Sequence, residues 1–164
     1  YYRKLKRLQS LHSSYGILYL DLNDFKHVND TYGHAAGDRL LVVSARRMYE
    51  AMRRPADGNL ERESVYGVVD RTKYRGVFGR VYRLGGDEFS IMIDHPIRKQ
   101  ELIRKFDIFE KEISGLLSDS HKVSCSIGAY YFDTPQNFQT IYANADKMLY
   151  KAKERGRACW VINE

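Results

Sequence analysis

Residues 85–89 read Gly85-Gly86-Asp87-Glu88-Phe89 and join two strand-like runs, Val81–Leu84 and Phe89–Ile93. No other feature constrains the fold as tightly. A glycine pair between two strands makes a tight hairpin. Glycine takes the positive φ angles that such a turn needs and lets a bulky anion approach the backbone. A hairpin in mid-chain rules out an all-parallel sheet, because parallel neighbours need long crossovers. The turn also sets two adjacent carboxylates at its tip. Neighbouring carboxylates repel unless a cation sits between them. The turn therefore reads as a Mg²⁺ and phosphate site, although the same five residues alone also make an ordinary hairpin.

Periodicity gives the other elements. Tyr1 to about Ser13 reads as a helix with Leu5, Leu8 and Leu11 on one side. Tyr15–Leu22 is mostly apolar, as a central strand covered on both faces would be. Phe25–Tyr32 is a short helix ended by Gly33, and Gly37 to about Arg53 a long one with Leu41, Ala45, Met48 and Met52 inward. Arg98 to about Leu117 is a helix burying Leu102, Phe106, Phe109, Ile113 and Leu116. Val123–Tyr131 is a strand, Asn137–Arg155 a helix burying Ile141, Ala145, Met148 and Ala152, and Ala158–Ile162 a last strand. The expected fold is α/β of the α+β kind, a mostly antiparallel sheet with helices around it.

At 164 residues this is one domain, large enough for a core. Hydrophobic residues make up 43% and charged residues 29%, as in a soluble globular protein. No apolar run approaches a membrane span and no signal peptide is visible. The net charge of +6 suits an anionic ligand, and equally a solvated basic surface. Cys125 and Cys159 have no metal-ligand spacing around them and read as thiols in a reducing compartment. The expected location is cytoplasmic, or a cytoplasmic domain if the parent protein is membrane-bound. The chain opens inside a helical pattern, so residues 1–164 read as a domain excised from a longer multidomain protein.

Three blocks carry a resemblance. The first runs from Tyr19-Leu20-Asp21-Leu22-Asn23-Asp24-Phe25-Lys26 through Asn29-Asp30 to Gly37-Asp38. The second is the acidic turn, and the third is Ala145-Asp146-Lys147-Met148-Leu149-Tyr150-Lys151-Ala152-Lys153-Glu154-Arg155-Gly156-Arg157. Together they closely resemble the GGDEF domain of diguanylate cyclases, from about Gly16 to Arg157. The resemblance implies a polymerase-palm-like, nucleotidyl-cyclase-like fold and the condensation of two GTP into cyclic di-GMP with release of two pyrophosphates. It implies two Mg²⁺ (or Mn²⁺) per active site, a homodimer for catalysis, and sensory or other signalling domains in the same longer chain. Nucleic acid is not among the expected partners.

The resemblance also implies roles. Asp21, Asp87, Glu88 and the Leu22 carbonyl would hold metal, with Asp87 and Glu88 the catalytic pair and Glu88 a ligand or the base. Such hard oxygen ligands suit Mg²⁺. Asn29 and Asp38 would read guanine; a carboxylate accepts from the adjacent N1–H and N2 amine that adenine lacks. Lys26, Lys153 and Arg157 would meet the triphosphate, the last two being four apart on one helical face. The backbone amides of Asn23, Asp24 and Phe25, at a helix start, would cradle its phosphates. Asp24 stands where the family often has an aromatic or apolar residue, and Arg39 where an acid is common.

Two departures stand out. Residues at about 55–79 exceed the family's usual connection and read either as an inserted β-hairpin with a basic tip, Arg71, Lys73 and Arg75, or as a disordered loop. The family's inhibitory product site uses Arg-x-x-Asp before the glycine pair; Gly76 and Gly79 stand in its place, so none is expected here. Two other classes of function compete. A catalytically weak GGDEF domain would sense GTP or dimerise on behalf of an attached domain. An RNA-binding ferredoxin-like domain would suit the charge and the thirteen tyrosines, but it lacks an aromatic RNA motif and leaves the acidic turn unexplained.

Overall fold

The computed structural model describes residues 15–52, 79–93, 98–113 and 123–164. The helix expected over Tyr1–Ser13, nearly all of the insertion and Leu116 lie outside them. Five strands, β1 (Tyr15–Leu22), β2 (Arg80–Gly85), β3 (Glu88–Ile93), β4 (Cys125–Phe132) and β5 (Trp160–Ile162), form one sheet in the order β2-β3-β1-β4-β5. All neighbours are antiparallel except β4 and β5. The helices are α1 (Phe25–Tyr32), α2 (His34–Ala51), α3 (Lys99–Ile113) and α4 (Phe138–Glu154). The mixed, mostly antiparallel architecture is the one expected.

β1 sits in the middle of the sheet, and its alternate side chains serve two cores. Leu18, Leu20 and Leu22 pack with residues of α2 and α3, including Leu41, Met48, Phe106 and Phe109. Ile17 and Tyr19 face the other way, onto Ile141, Ala145 and Leu149 of α4. Burial on both faces explains the strand's nearly unbroken apolar run. The helical stripes read from the sequence are the buried ones: Leu102, Phe106, Phe109 and Ile113 in α3, and Ile141, Ala145, Met148 and Ala152 in α4.

α4 lies unusually close to the sheet, because a Cβ at Gly128 would collide with the backbone nitrogen of Leu149. Its start is capped by Asn137, whose Oδ1 accepts from the Thr140 amide at 2.8 Å. On the other face, Lys105 of α3 is buried and donates to the Ala51 carbonyl at the end of α2 (2.8 Å). Burial lowers its pKa. The two cysteines are free, Cys125 buried and Cys159 half-buried.

Several boundaries differ from expectation: β4 begins at Cys125 and β5 at Trp160, each two residues later than the sequence reading. α2 begins at His34, three residues before Gly37. Gly33, with φ 82° and ψ 161°, takes the break between α1 and α2 in a conformation few other residues adopt. Gly37 is therefore an interior helical residue, and its missing side chain serves another purpose.

Candidate active site

The acidic turn and the end of β1 meet by register. Asp21 is opposite Glu88 of β3 and opposite Ser126 of β4. The Leu22 amide donates to the Asp87 carbonyl at 3.2 Å, tying the hairpin tip to the strand end. Alternation along β1 puts Asp21 on the same face as Ile17 and Tyr19, the face that α4 covers. Lys153, in the last turn of α4, reaches across and places Nζ 2.9 Å from Asp21 Oδ2. The pair is largely withdrawn from water, with Asp21 14% and Lys153 34% exposed.

Asp87 feels this neighbourhood. Burial, first, raises its pKa above the ordinary carboxylate value; its own backbone N–H lowers it, the Asp21 charge raises it and Lys153 lowers it. Asp21 and Asp87 therefore share one field, although they come from different segments. Glu88 is exposed. Among the described residues, no three of His, Cys, Asp and Glu converge as a metal-binding group. The expected triad of Asp21, Asp87 and Glu88 is thus not assembled as a cage. A hard divalent cation does not need one: Mg²⁺ is commonly held by one or two carboxylates, completed by phosphate and water. Two carboxylates in one field, with an ammonium bound to one of them, form a cation-seeking donor set that fits such an ion.

The connection from β1 to α1 carries the expected phosphate cradle, with a correction. Asn23 does not offer its amide, which donates to the Ser124 carbonyl at 2.9 Å. Its side chain is buried as well: Nδ2 donates to Ser124 Oγ at 2.8 Å, and Oδ1 accepts from Ser126 Oγ at 2.9 Å. Asn23 is a pin that fixes the turn to β4. Neither serine stood out in the sequence, because nothing local links Ser124-Cys125-Ser126 to a residue about a hundred positions earlier. Asp24 and Phe25 remain for an anion. The Phe25 amide opens α1, where amides have no intrahelical acceptor. Lys26 is exposed on the same first turn.

Asp24 takes the left-handed conformation, φ 59° and ψ 22°, which aspartate tolerates better than most residues. Its carboxylate lies 3.7 Å from Arg157 Nη1. Arg157 is itself left-handed (φ 65°), between Gly156 (φ 106°) and Ala158 (φ 45°). That turn reverses the chain out of α4 and holds the guanidinium over the start of α1. Both side chains are more than half exposed, so the pair adds little stability.

Asn29 and Asp38 lie on the two helices that Gly33 joins. Asn29 is half-buried and Asp38 exposed. A Cβ at Gly37 would strike Asn29 Oδ1 and would lie 3.2 Å from the Phe25 ring. Gly37 thus leaves room for the Asn29 amide. One turn beyond Asp38, Leu41 and Val42 open onto a groove of about 430 Å³ between α2 and the hairpin, also lined by Ala45, Val81 and Phe89. Gly79, where the family's inhibitory aspartate would stand, is buried, and a Cβ there would lie 2.8 Å from the Met92 carbonyl oxygen.

Comparison with known proteins agrees with this geometry. The family model described as "Diguanylate cyclase, GGDEF domain" matches residues 2–62 and 74–159, and the gap falls within the expected insertion. The chain is 29% identical over 161 residues to the diguanylate cyclase DgcS of Shewanella oneidensis, covering 96% of this chain and 45% of that protein. It is 30% identical over 146 residues to the diguanylate cyclase DosC of Escherichia coli, covering 86% of this chain and 26% of that protein. It thus spans less than half the length of either relative. Among solved structures, the GGDEF domain of YfiN (TpbB) from Pseudomonas aeruginosa superposes with a TM-score of 0.70 at 26% identity, over 99% of this chain and 89% of that one. Fold, site and family match lead to one conclusion: the chain belongs to the diguanylate cyclase GGDEF domain family.

Proposed function

We propose that this domain condenses two molecules of GTP into cyclic di-GMP, releasing two pyrophosphates, as one half of a homodimer in the cytoplasm. The observation that carries the proposal is the meeting of Asp21, Asp87 and Lys153 at one end of the central strand. Carboxylates and cations there match what a metal-bound triphosphate presents.

Each domain would hold one GTP. Asn29 and Asp38 orient guanine, and Leu41 and Val42 give the base an apolar wall. The amides of Asp24 and Phe25, together with Lys26, Lys153 and Arg157, bind the triphosphate. Asp21, Asp87 and the Leu22 carbonyl hold Mg²⁺, two ions per site. Glu88 either completes the second position or accepts the proton of the attacking hydroxyl, and its exposure leaves it open to a nucleotide. When bound, the metal neutralises phosphate charge and makes the 3′-hydroxyl a better nucleophile. The 3′-oxygen of one GTP forms a bond to the α-phosphorus of the other, and the bond to pyrophosphate breaks; a second, symmetric transfer closes the ring. One domain offers one such site, so turnover needs two domains face to face.

The test is incubation with GTP and Mg²⁺ and mass detection of cyclic di-GMP. Product at the expected mass supports the reading. GTP binding without product, at concentrations that favour dimers, overturns it in favour of a sensing module.

A further inference from the structure

We propose that Lys153 is a built-in counter-ion at the metal position, which a divalent cation displaces and which is thereby handed to the triphosphate. The inference rests on the proposed site and concerns how its two ligands are coupled. Lys153 Nζ lies 2.9 Å from Asp21 Oδ2, in a pair mostly withdrawn from water. Asp21 is also one of the two carboxylates expected to hold metal, and it shares its field with Asp87.

An ion held by the same carboxylate stands close to this ammonium, and in a pair mostly withdrawn from water the two cations repel. Binding of the ion therefore favours the departure of Lys153. Lysine is suited to this, because its charge rides on a flexible four-carbon stem. Its anchor on α4 is fixed by Ala152 and Leu149, both buried, so only the head group needs to swing. The released ammonium then needs an anion, and the triphosphate is the anion that arrives with the metal. Metal and triphosphate thus strengthen each other's binding beyond their own complexation, and the linkage must be reciprocal. In the ligand-free domain the same pair keeps Asp21 and Asp87 from facing each other uncompensated.

The experiment reads metal binding without turnover, on the domain as it stands. Mn²⁺ is titrated into nucleotide-free protein and the free ion is followed by electron paramagnetic resonance. Lys153→Met should bind Mn²⁺ about tenfold more tightly than the unaltered protein. Lys151→Met, which loses the same charge on an exposed part of α4, should change the affinity by less than about twofold. Inorganic triphosphate, titrated in the presence of a chelator, gives the converse. Asp21→Asn should bind it about tenfold more tightly, and a Lys153→Met, Asp21→Asn double variant should lose that gain. Equal Mn²⁺ affinity in Lys153→Met and the unaltered protein overturns the inference, as does a triphosphate gain that survives in the double variant. Neither measurement depends on cyclic di-GMP. A domain that makes product but lacks the linkage refutes this inference alone; a domain with the linkage but no product refutes the proposed reaction alone.

Discussion

Asn29 occupies space that only a glycine at position 37 can leave: a Cβ on Gly37 would strike Asn29 Oδ1. The two residues sit on successive helices, and the room left by Gly37 is where the Asn29 amide lies. Gly37→Ala should therefore displace Asn29 while α2 persists, since alanine is the better helix former. GTP affinity should fall by about tenfold, within the 1–3 kcal/mol expected for losing a buried polar contact. Calorimetry with GTP, with circular dichroism to check helix content, measures both. Unchanged affinity would remove Asn29 from guanine recognition.

Asp38 should set the preference for GTP over ATP. Its carboxylate can accept from both donors on the guanine edge, and adenine leaves that match unmade. Asp38→Ala should lose about 1–3 kcal/mol of GTP binding and little of ATP binding. Parallel titrations of the two nucleotides check it, and equal affinities in the unaltered protein would refute it.

Asp87→Asn should abolish product formation and, at neutral pH, raise the melting temperature. The Asp87 pKa is raised, first by burial. The folded state thus holds its proton to a higher pH than the unfolded chain does. Stability from this group is full below the unfolded value of 3.8 and falls as pH rises through the folded value. Asparagine removes that loss. The gain in melting temperature should therefore be present at pH 7 and vanish at pH below 3.8; a gain that is independent of pH would point to another cause.

Product should not inhibit through the family's usual site. Gly79 has no space for a side chain, because a Cβ there would lie 2.8 Å from both the Met92 carbonyl oxygen and Met52 Cε. Cyclic di-GMP titrated into protein blocked with a non-hydrolysable GTP analogue should show no saturable binding. Tight binding that is lost on Arg71→Ala or Arg75→Ala would show that the insertion supplies a replacement.

Local pattern determined much of this protein. Alternation marked the hairpin around Gly85 and Gly86, and helical spacing marked the buried stripes of α3 and α4. Those signals survive without a fold, because each depends on residues two to four positions apart. The beginning of α2 is not legible locally, since Gly37 looks like a helix boundary until Asn29 is seen beside it. What the tertiary structure alone decided is who meets whom. Lys153 lies 132 residues from Asp21 and becomes its partner only because β1 takes the centre of the sheet and Gly128 lets α4 settle close over it. Asn23 lost its expected place in the phosphate cradle for the same reason: β4 brings Ser124 and Ser126 against it. Strand order and helix docking are set by the summed burial of two whole faces, and no short stretch of sequence contains that sum.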